Sequence, residues 1–196
     1  MCGPYRILGV GGPVTRIPRD ECALLVIDVQ ERLLPLIHTT KEVERRIATA
    51  IAGARVLGLP VVVTEQYPKG LGRTVGTVAE AIKGITPIEK LSFSCCGADA
   101  VNRALASHGV TTVILAGIES HVCVLQTCLD LLERSITPVV LADCVGSRHL
   151  HDHQIALERM RGAGALVTTV ESALFELVGA AGTDEFKRIS QLIKPL

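Results

Sequence analysis

Short apolar segments alternate with amphipathic ones along almost the whole chain, and this alternation restricts the fold more than any other feature of the sequence. Six apolar segments have the length and branched-residue content of buried strands: 22–29, 60–66, 87–94 (a short strand with its exit loop), 111–118, 137–144 and 165–170. Helical spacing of apolar residues predicts helices at 41–57, 77–83, 98–108, 122–134, 151–161, 172–178 and 184–193. Strands that alternate with helices form βαβ units, so we expect an α/β fold. It should be a three-layer αβα sandwich around a doubly wound, mostly parallel, six-stranded sheet.

The length of the chain, 196 residues, fits one domain. Residues 1–20 contain Gly, Pro and Arg without periodicity, so we predict an irregular N-terminal arm at 1–20 and one folded domain at 21–196. Apolar residues make up 48% of the sequence but aromatic residues only 3%, so the core must consist mainly of Val, Ile, Leu and Ala.

Charge is balanced, with 20 Lys and Arg against 20 Asp and Glu. The sequence has no basic field for nucleic acid, no polybasic segment for a membrane surface and no apolar run of the ~18 residues that span a bilayer. We therefore expect a small-molecule substrate, and neither nucleic acid nor membrane as a partner. Because so little net charge gives little solubility, burial of apolar surface by self-association is favoured, and we expect a homo-oligomer, a dimer or higher.

The seven cysteines are an odd number and contain no CxxC pair. The first residues show no apolar segment followed by a cleavage site. We therefore expect a cytoplasmic protein whose thiols stay reduced and mostly serve as small buried hydrophobic residues.

Three chemically active side chains follow predicted strands. Asp28 ends the first strand, Lys90 ends a short central strand, and Cys123 lies five residues after Ile118, where a third strand ends. The carboxyl ends of parallel strands meet at one rim, so these side chains should lie close together. Cys123 would lie in the first turn of a helix, where unpaired amides and Lys90 favour a thiolate and Asp28 can accept the thiol proton. Each residue alone has an ordinary explanation in packing, helix capping or solvent exposure; together they predict a nucleophilic site.

Five segments resemble the isochorismatase-like cysteine hydrolase superfamily, in particular its isochorismatase domain-containing subgroup. They are ALLVIDVQERLLP (23–35), PIEKLSFSCC (87–96), VILAGIESHVCVLQTCLDLLER (113–134), VVLADCVGSR (139–148) and DHQIALERMRGAGALVTTVESALFEL (152–177). The resemblance implies a Rossmann-like hydrolase domain over residues 21–196. It also implies that Asp28, Lys90 and Cys123 form the catalytic triad.

The resemblance further implies a cis peptide bond between Ile118 and Glu119, and an oxyanion hole formed by the amides of Glu119 and Cys123. The chain keeps Cys123, which siderophore-type isochorismatases often lack. We therefore predict a cysteine hydrolase that cleaves a small amide or ureido C–N bond through a thioester acyl-enzyme. The alternatives are an isochorismatase-type vinyl-ether hydrolase and a catalytically idle relative that serves as an interaction module. A redox-sensing thiol at Cys95 and Cys96 is disfavoured, because adjacent cysteines seldom pair usefully.

Histidine positions bear on the question of a metal. Nicotinamidases of the superfamily carry an Asp-x-His motif and further histidines after the second strand, where this chain reads TEQYPKGLGRTVG. His149, His151 and His153 form the segment HLHDH, and His149 and His153 are spaced as metal ligands on a helix can be. No carboxylate set of recognisable spacing accompanies them, so we predict no metal and no other cofactor.

The loops after the strands supply the candidate residues of a small substrate pocket. These candidates are Gln30, Gln66, Tyr67, Phe93 and His121. Gln30 has the alternative of a helix cap or core residue, and His121 that of orienting the nucleophile turn. Arg73 is a candidate clamp for a substrate carboxylate, with solvation as its alternative. The apolar segment 171–182 and the helix after Cys123 are candidates for either a subunit interface or the core.

Overall fold

One parallel sheet organises residues 16–194, which are the residues that the computed structural model describes. Its strands are β1 Cys22–Ile27, β2 Val61–Gln66, β3 Ile88–Lys90, β4 Thr112–Ile118, β5 Thr137–Gly146 and β6 Leu166–Thr168. The order in the sheet is β3-β2-β1-β4-β5-β6, and all neighbours are parallel. The predicted six-stranded sheet is therefore confirmed, with β3 at an edge and not at the centre.

Helices cover both faces of this sheet. They are α1 Thr40–Val56, α2 Pro68–Leu71, α3 Gly76–Ala81, α4 Asp99–Ser107, α5 Leu125–Glu133, α6 Leu150–Ala163, α7 Val170–Val178 and α8 Asp184–Ile193. The apolar faces of α1, α3, α7 and α8 pack on one side of the sheet, and those of α4, α5 and α6 on the other. The predicted three-layer αβα sandwich is confirmed. No helix within residues 16–194 has the length and apolar character needed to cross a membrane.

The central strands are buried on both faces, which explains why they read as uninterrupted apolar runs. Every residue of β1 and of β4 is buried. Leu24 and Val26 of β1 point into the core beneath α1, whereas Ala23 and Leu25 point to the side of α4, α5 and α6. Because β1 and β4 are buried on both faces, their positions in the sheet are fixed, and so are the positions of the residues that directly follow them.

Some boundaries differ from the expectation. Residues 67–76, between the predicted strand 60–66 and the predicted helix 77–83, contain the further helix α2, because Pro68 has the fixed φ that suits a first helical position. β5 continues to Gly146, two residues beyond its predicted end at Cys144. Its pairing with β4 shifts register between Leu115 and Gly117, so the strand accommodates extra residues before it resumes.

The N-terminal arm is only partly described. Of the predicted arm at 1–20, residues 1–15 lie outside the described residues. Ile17 is buried, and its amide donates to Oε1 of Glu176 at 2.8 Å. Arg19 binds both carboxylate oxygens of Glu185, at 2.8 and 2.6 Å. Residues 16–18 have no regular secondary structure, but the last residues of the arm are packed against α7 and α8.

The strand order reverses at the centre of the sheet, because β1 lies between β2 and β4. In open parallel sheets this reversal opens a crevice at the carboxyl ends of the two central strands. Asp28 follows β1 and Cys123 follows β4, so both residues lie at this crevice.

Candidate active site

Asp28 leaves β1 in a left-handed backbone conformation with φ of 53°. Aspartate tolerates this region better than branched residues do. The amide of Asp28 donates to the carbonyl of Thr64 at 3.2 Å, and the hydroxyl of Thr64 donates to Oδ1 of Asp28 at 2.8 Å. Both residues are fully buried. Thr64 of β2 thus fixes the backbone and the carboxylate of Asp28 together.

Lys90 ends β3 and reaches Asp28 from the edge of the sheet. Its Nζ lies 2.6 Å from Oδ2 of Asp28, and neither side chain is exposed. Nζ also donates to Oε1 of Gln66 at 2.8 Å and to the carbonyls of Ser92 and Phe93 at 3.1 and 3.0 Å. An ammonium group has three protons, so these four oxygens saturate it. Lys90 therefore neutralises Asp28 and anchors the loop that follows β3.

Cys123 lies in a π-helical turn, Ser120–Val124, between β4 and α5. The peptide bond between Ile118 and Glu119, which leads into this turn, is cis. The hydroxyl of Thr127 donates to the carbonyl of Cys123 at 2.7 Å. The residue is 6% exposed, so a substrate has narrow access to it.

The protonation state of Cys123 differs from the expectation. Its pKa is raised to about 12, chiefly by burial and next by the charge of Asp28, while Lys90 lowers it. The expectation that the helix start and Lys90 hold a thiolate in the free protein is wrong, because burial and the carboxylate outweigh both. Cys123 is a neutral thiol at neutral pH with a base beside it.

The residues that meet at this crevice lie within a span that matches a known family. Residues 22–172 match the isochorismatase domain. The chain belongs to the isochorismatase family. The secreted isochorismatase effector Isc1 of Phytophthora sojae (strain P6497) is 42% identical over 184 residues, which cover 91% of this isochorismatase-family chain and 87% of that protein. Isochorismatase domain-containing protein 1 of Salmo salar is 42% identical over 168 residues, or 85% of this chain, and the match spans 59% of that relative's length.

Solved structures share the fold of this isochorismatase-family hydrolase. A MAR1 ribonuclease from Caenorhabditis elegans superposes with a TM-score of 0.86 and is 43% identical, with 91% of this chain and 92% of that chain covered. The YcaC gene product of Escherichia coli, described as an octameric hydrolase of unknown specificity, superposes with a TM-score of 0.87 at 21% identity, with 94% of each chain covered. At that identity the second likeness shows the fold alone.

Gln30, a predicted substrate contact, makes the hydrogen bonds of its side chain within the protein. The side chain is fully buried. Its Nε2 donates to the carbonyls of Gln66 and Gly72 at 3.0 and 2.7 Å, and its Oε1 accepts from the amide of Gln66 at 2.7 Å. The whole carboxamide is thus used to hold the loop after β2 against the end of β1.

Of the remaining predicted pocket residues, Gln66 is also engaged within the protein. Its side chain accepts from Lys90 and donates to the carbonyl of Leu91 at 2.8 Å. Tyr67, which follows Gln66, and Phe93, in the loop after β3, are about half exposed, at 51% and 54%. Tyr67, Lys90 and Leu91 border a cavity of about 320 Å³. Tyr67 and Phe93 therefore stay candidates for substrate contact.

Arg73, the candidate clamp for a substrate carboxylate, forms two ion pairs within the protein. Its Nη1 lies 2.8 Å from Glu65 and 2.8 Å from Glu89. Glu65 is buried and also accepts from the amide and the hydroxyl of Thr74. Arg73 thus neutralises a buried carboxylate, which is a structural task.

The histidines of HLHDH do not converge. His149 and His151 are exposed, while Nδ1 of His153 lies 3.0 Å from the hydroxyl of Ser120 in the nucleophile turn. His121, the predicted substrate contact in that turn, places its Nδ1 2.9 Å from the hydroxyl of Ser147. Between residues 16 and 194, no group of three or more His, Cys, Asp or Glu side chains is arranged to hold a metal ion.

Two residues that sequence reasoning missed hold the site together. Thr64 bonds Asp28, and Thr127 links the carbonyl of Cys123 to the amide of Cys95, which donates to the Thr127 hydroxyl at 2.9 Å. The signal for both is a lone hydroxyl in an apolar setting: Thr64 follows three valines, and Thr127 lies on the buried face of α5. A buried hydroxyl needs a partner, so such a residue next to a predicted site residue is a candidate support for it.

Proposed function

We propose that this isochorismatase-family hydrolase is a metal-independent cysteine hydrolase that cleaves a small amide or ureido C–N bond through a thioester on Cys123. One arrangement supports this assignment above all: the carboxylate of Asp28, which Lys90 holds in a buried ion pair, acts on the Cys123 thiol and raises its pKa. Covalent catalysis uses this arrangement, in which a base acts on the nucleophile and a third group orients the base.

In the first half of the proposed reaction, Asp28 accepts the thiol proton while Sγ of Cys123 attacks the carbonyl carbon. The amides of Glu119 and Cys123 stabilise the oxyanion that forms. The C–N bond then breaks, and the amine leaves with the proton that Asp28 returns to it. The acyl group remains on sulfur as a thioester.

In the second half, water attacks the thioester, and Asp28 accepts one of its protons. The C–S bond breaks, the acid is released, and the sulfur regains a proton from Asp28. The carboxylate thus acts as base and acid in each half. Lys90 keeps Asp28 in place throughout, because its three protons are bound to oxygens of the protein and not to substrate.

The narrow access to Cys123 favours a small substrate. We propose that Tyr67, Phe93 and His121 contact it, because Tyr67 and Phe93 expose apolar rings beside the loop that Lys90 anchors, and His121 belongs to the nucleophile turn. An amphipathic ring suits such a role, since it offers contact area with a few polar groups.

The test is a substrate panel of amides, ureides, isochorismate and an RNA oligonucleotide. It is run with the unaltered protein, with Cys123→Ala and with Cys128→Ala, a matched loss of a buried thiol in α5. We expect C–N hydrolysis that Cys123→Ala abolishes and Cys128→Ala retains, together with an acyl adduct on the Cys123 peptide by mass spectrometry. C–N hydrolysis that survives in Cys123→Ala contradicts the covalent mechanism. No turnover, with Cys123 alkylated no faster than Cys128, favours an idle interaction module.

Vinyl-ether hydrolysis is the second candidate, because the Phytophthora sojae relative is named an isochorismatase effector at 42% identity. It needs no thioester, so turnover of isochorismate would persist in Cys123→Ala. The Caenorhabditis elegans structure is named a ribonuclease. We propose a small molecule over RNA, because the chain carries equal numbers of basic and acidic residues. The RNA arm of the panel tests this choice.

We also propose that the chain forms a homo-oligomer. Within residues 16–194, large apolar side chains are exposed at Leu36, Tyr67, Leu91, Phe93, Leu150 and Ile155. The segment 171–182 is a weaker candidate interface, because Ala173, Leu174 and Leu177 of α7 are buried in the core. Light scattering after size-exclusion chromatography should give a mass of at least twice 20.8 kDa.

A cytoplasmic location is part of the same proposal. The cysteines of the described residues are unpaired and buried, as suits a reducing compartment. The name of the Phytophthora sojae relative includes secretion. Cell fractionation with an antibody to the chain would separate the two locations.

A further inference from the structure

The nucleophile turn comprises residues 119–124, and its first three residues are each held by a side chain from residues 147–153, which form the loop after β5 and the first turn of α6. The pairs are Glu119 with Arg148 at 2.8 Å, Ser120 with His153 at 3.0 Å, and His121 with Ser147 at 2.9 Å. We call these three contacts the turn clasp. They join parts of the chain that are about 30 residues apart, which local structure alone would not bring together.

The turn clasp begins where the sheet ends. Ile118 and Gly146 are the last paired residues of β4 and β5. Beyond them the two chains turn away into the π-helical turn and into α6. The side-chain contacts therefore continue the association of β4 and β5 for three more residues, up to His121, two residues before Cys123.

The backbone of the nucleophile turn is less firmly defined than an α-helix. The amides of Val122 and Val124 share the carbonyl of Glu119, each at 3.2 Å. A π-helical turn is wider and rarer than an α-helical one, and it persists where the surroundings hold it. Thr127 holds the carbonyl of Cys123 on the side of α5, and the turn clasp holds the other side.

The three contacts of the turn clasp do not contribute equally to holding the turn in place. Arg148 is about half exposed, so its ion pair with Glu119 is screened by water and contributes little. Ser120 and Ser147 are buried at 0% and 1% exposure, so loss of either partner leaves a buried hydroxyl unpaired. Burial, together with the charge of His38, lowers the pKa of His153, so the ring is neutral at neutral pH and its tautomer decides which atom donates to the other.

We infer that Ser147 and His153 are positioning residues for catalysis, which through His121 and Ser120 hold Cys123 and the amides of the turn in place without touching substrate. The role rests on the proposed function, since it is the cysteine and these amides that act on the substrate.

Loosening the turn clasp should raise the rate at which Cys123 is alkylated and lower the rate of hydrolysis. Burial is the main reason for the raised pKa of Cys123, so a looser turn admits water, lowers that pKa and makes alkylation faster. Hydrolysis becomes slower, because the oxyanion donors lose their alignment. A residue with a merely local structural role would not produce this opposition.

The experiment measures iodoacetamide alkylation of each cysteine in the native protein, peptide by peptide, at pH 7.5. His153→Leu removes the bond to Ser120, His153→Asn keeps a polar atom where Nδ1 lies, and Ser120→Ala removes the same bond from the other side. His151→Leu is the matched control, since His151 is exposed in the same helix. We expect His153→Leu and Ser120→Ala to raise alkylation of Cys123 roughly tenfold, the gain that a pKa lower by about one unit gives. Cys95 and Cys128 should not change.

A conservative variant and a double variant complete the test of the bond between Ser120 and His153. His153→Asn should return alkylation of Cys123 to the unaltered rate, and Ser120→Ala with His153→Leu should match either single variant, because both remove one bond. Where the panel yields a substrate, kcat should fall in His153→Leu with KM little changed. Equal alkylation of Cys123 in all variants overturns the inference, and so does a parallel rise at Cys95 and Cys128, which signals general unfolding.

The outcome is separable from that of the proposed function. Alkylation needs no substrate, so the bond between Ser120 and His153 is tested even when the substrate panel shows no turnover. Conversely, suppose that the protein hydrolyses a substrate while His153→Leu changes neither alkylation nor kcat. That result supports the cysteine mechanism and contradicts the positioning role of His153. Should His153→Leu fail to fold, Ser120→Ala decides alone, because it deletes only one hydroxyl.

Discussion

Gly117 of β4 lies so close to Ile27 of β1 that a Cβ on Gly117 would overlap the carbonyl oxygen and the amide nitrogen of Ile27. Gly117 also has a φ of 119°, which disfavours other residues. Asp28 follows Ile27 directly, so the position of the proposed base depends on the absence of a side chain at residue 117.

Gly117→Ala should destabilise the protein by about 2–4 kcal/mol, since it adds strain at a positive φ to a backbone clash. It should also lower turnover by displacing Asp28. Gly58→Ala is the control, because Gly58 has a φ of 71° with no atom within 4 Å of its would-be Cβ. That variant should lose only about 1 kcal/mol. Urea unfolding measures both, and equal losses would refute the close approach as the cause.

Lys90→Met should destabilise the protein by about 3–5 kcal/mol, because it leaves the carboxylate of Asp28 buried without its partner. Adding Asp28→Asn should recover part of this loss, since the unpaired charge is then removed. The exposed pair of Lys187 and Asp184 supplies the control, and Lys187→Met should change the urea midpoint little. A double variant as unstable as the sum of both single variants contradicts the coupling.

Asp28→Asn should separate thiol reactivity from catalysis. Asp28 raises the pKa of Cys123, so its neutralisation lowers that pKa and speeds alkylation by iodoacetamide. Turnover should fall by about 10²–10⁴-fold, because the general base is lost. Asp184→Asn, at an exposed carboxylate, should alter neither rate. Slower alkylation in Asp28→Asn would show that Asp28 does not raise the pKa of the thiol.

Stability should fall at alkaline pH because of the buried thiols. Burial raises the pKa of Cys22 to about 11 and those of Cys95, Cys123 and Cys128 to about 12. The unfolded chain releases these protons near pH 9 and the folded chain keeps them. The contribution to stability is therefore complete below about pH 9 and is lost as the pH rises toward the folded pKa values, by about 1 kcal/mol per thiol and pH unit.

Urea unfolding at pH 7.5, 9.5 and 10.5 checks this slope. Cys128→Ala should be less stable at pH 7.5 but should lose less stability on alkalinisation, because one buried thiol is missing. Identical slopes in the two proteins would assign the alkaline loss to other groups.

Much of the fold follows from local pattern. The buried strands are apolar runs because both of their faces are covered, so β1 and β4 were placed within a few residues. The convergence of Asp28, Lys90 and Cys123 also follows, because parallel strands end at one rim. The edge position of β3 does not follow, since three residues contain no signal of strand order.

The remaining features depend on distances between remote residues. The neutral state of Cys123 depends on how deeply its turn is buried against Asp28, and the full burial of Gln30 on where the loop after β2 returns. The bond of Ser120 to His153 joins two helical turns that follow different strands. Residue type and spacing carry none of these distances, whereas a lone hydroxyl among apolar residues, such as Thr64, does indicate a buried partner.

The loop after β2 cannot be exchanged as an independent module. The backbone of residues 71–74 is held by residues 30–32: Gln30 binds Gly72 and bridges to Thr74, the amide of Glu31 donates to the carbonyl of Arg73, and that of Arg32 to Leu71. A graft of this loop from a relative, made to transplant its substrate preference, would therefore need residues 30–32 of the same donor. Residues 30–32 and 71–74 are far apart in the chain, but a change in one segment requires a matching change in the other, both in engineered variants and in natural relatives.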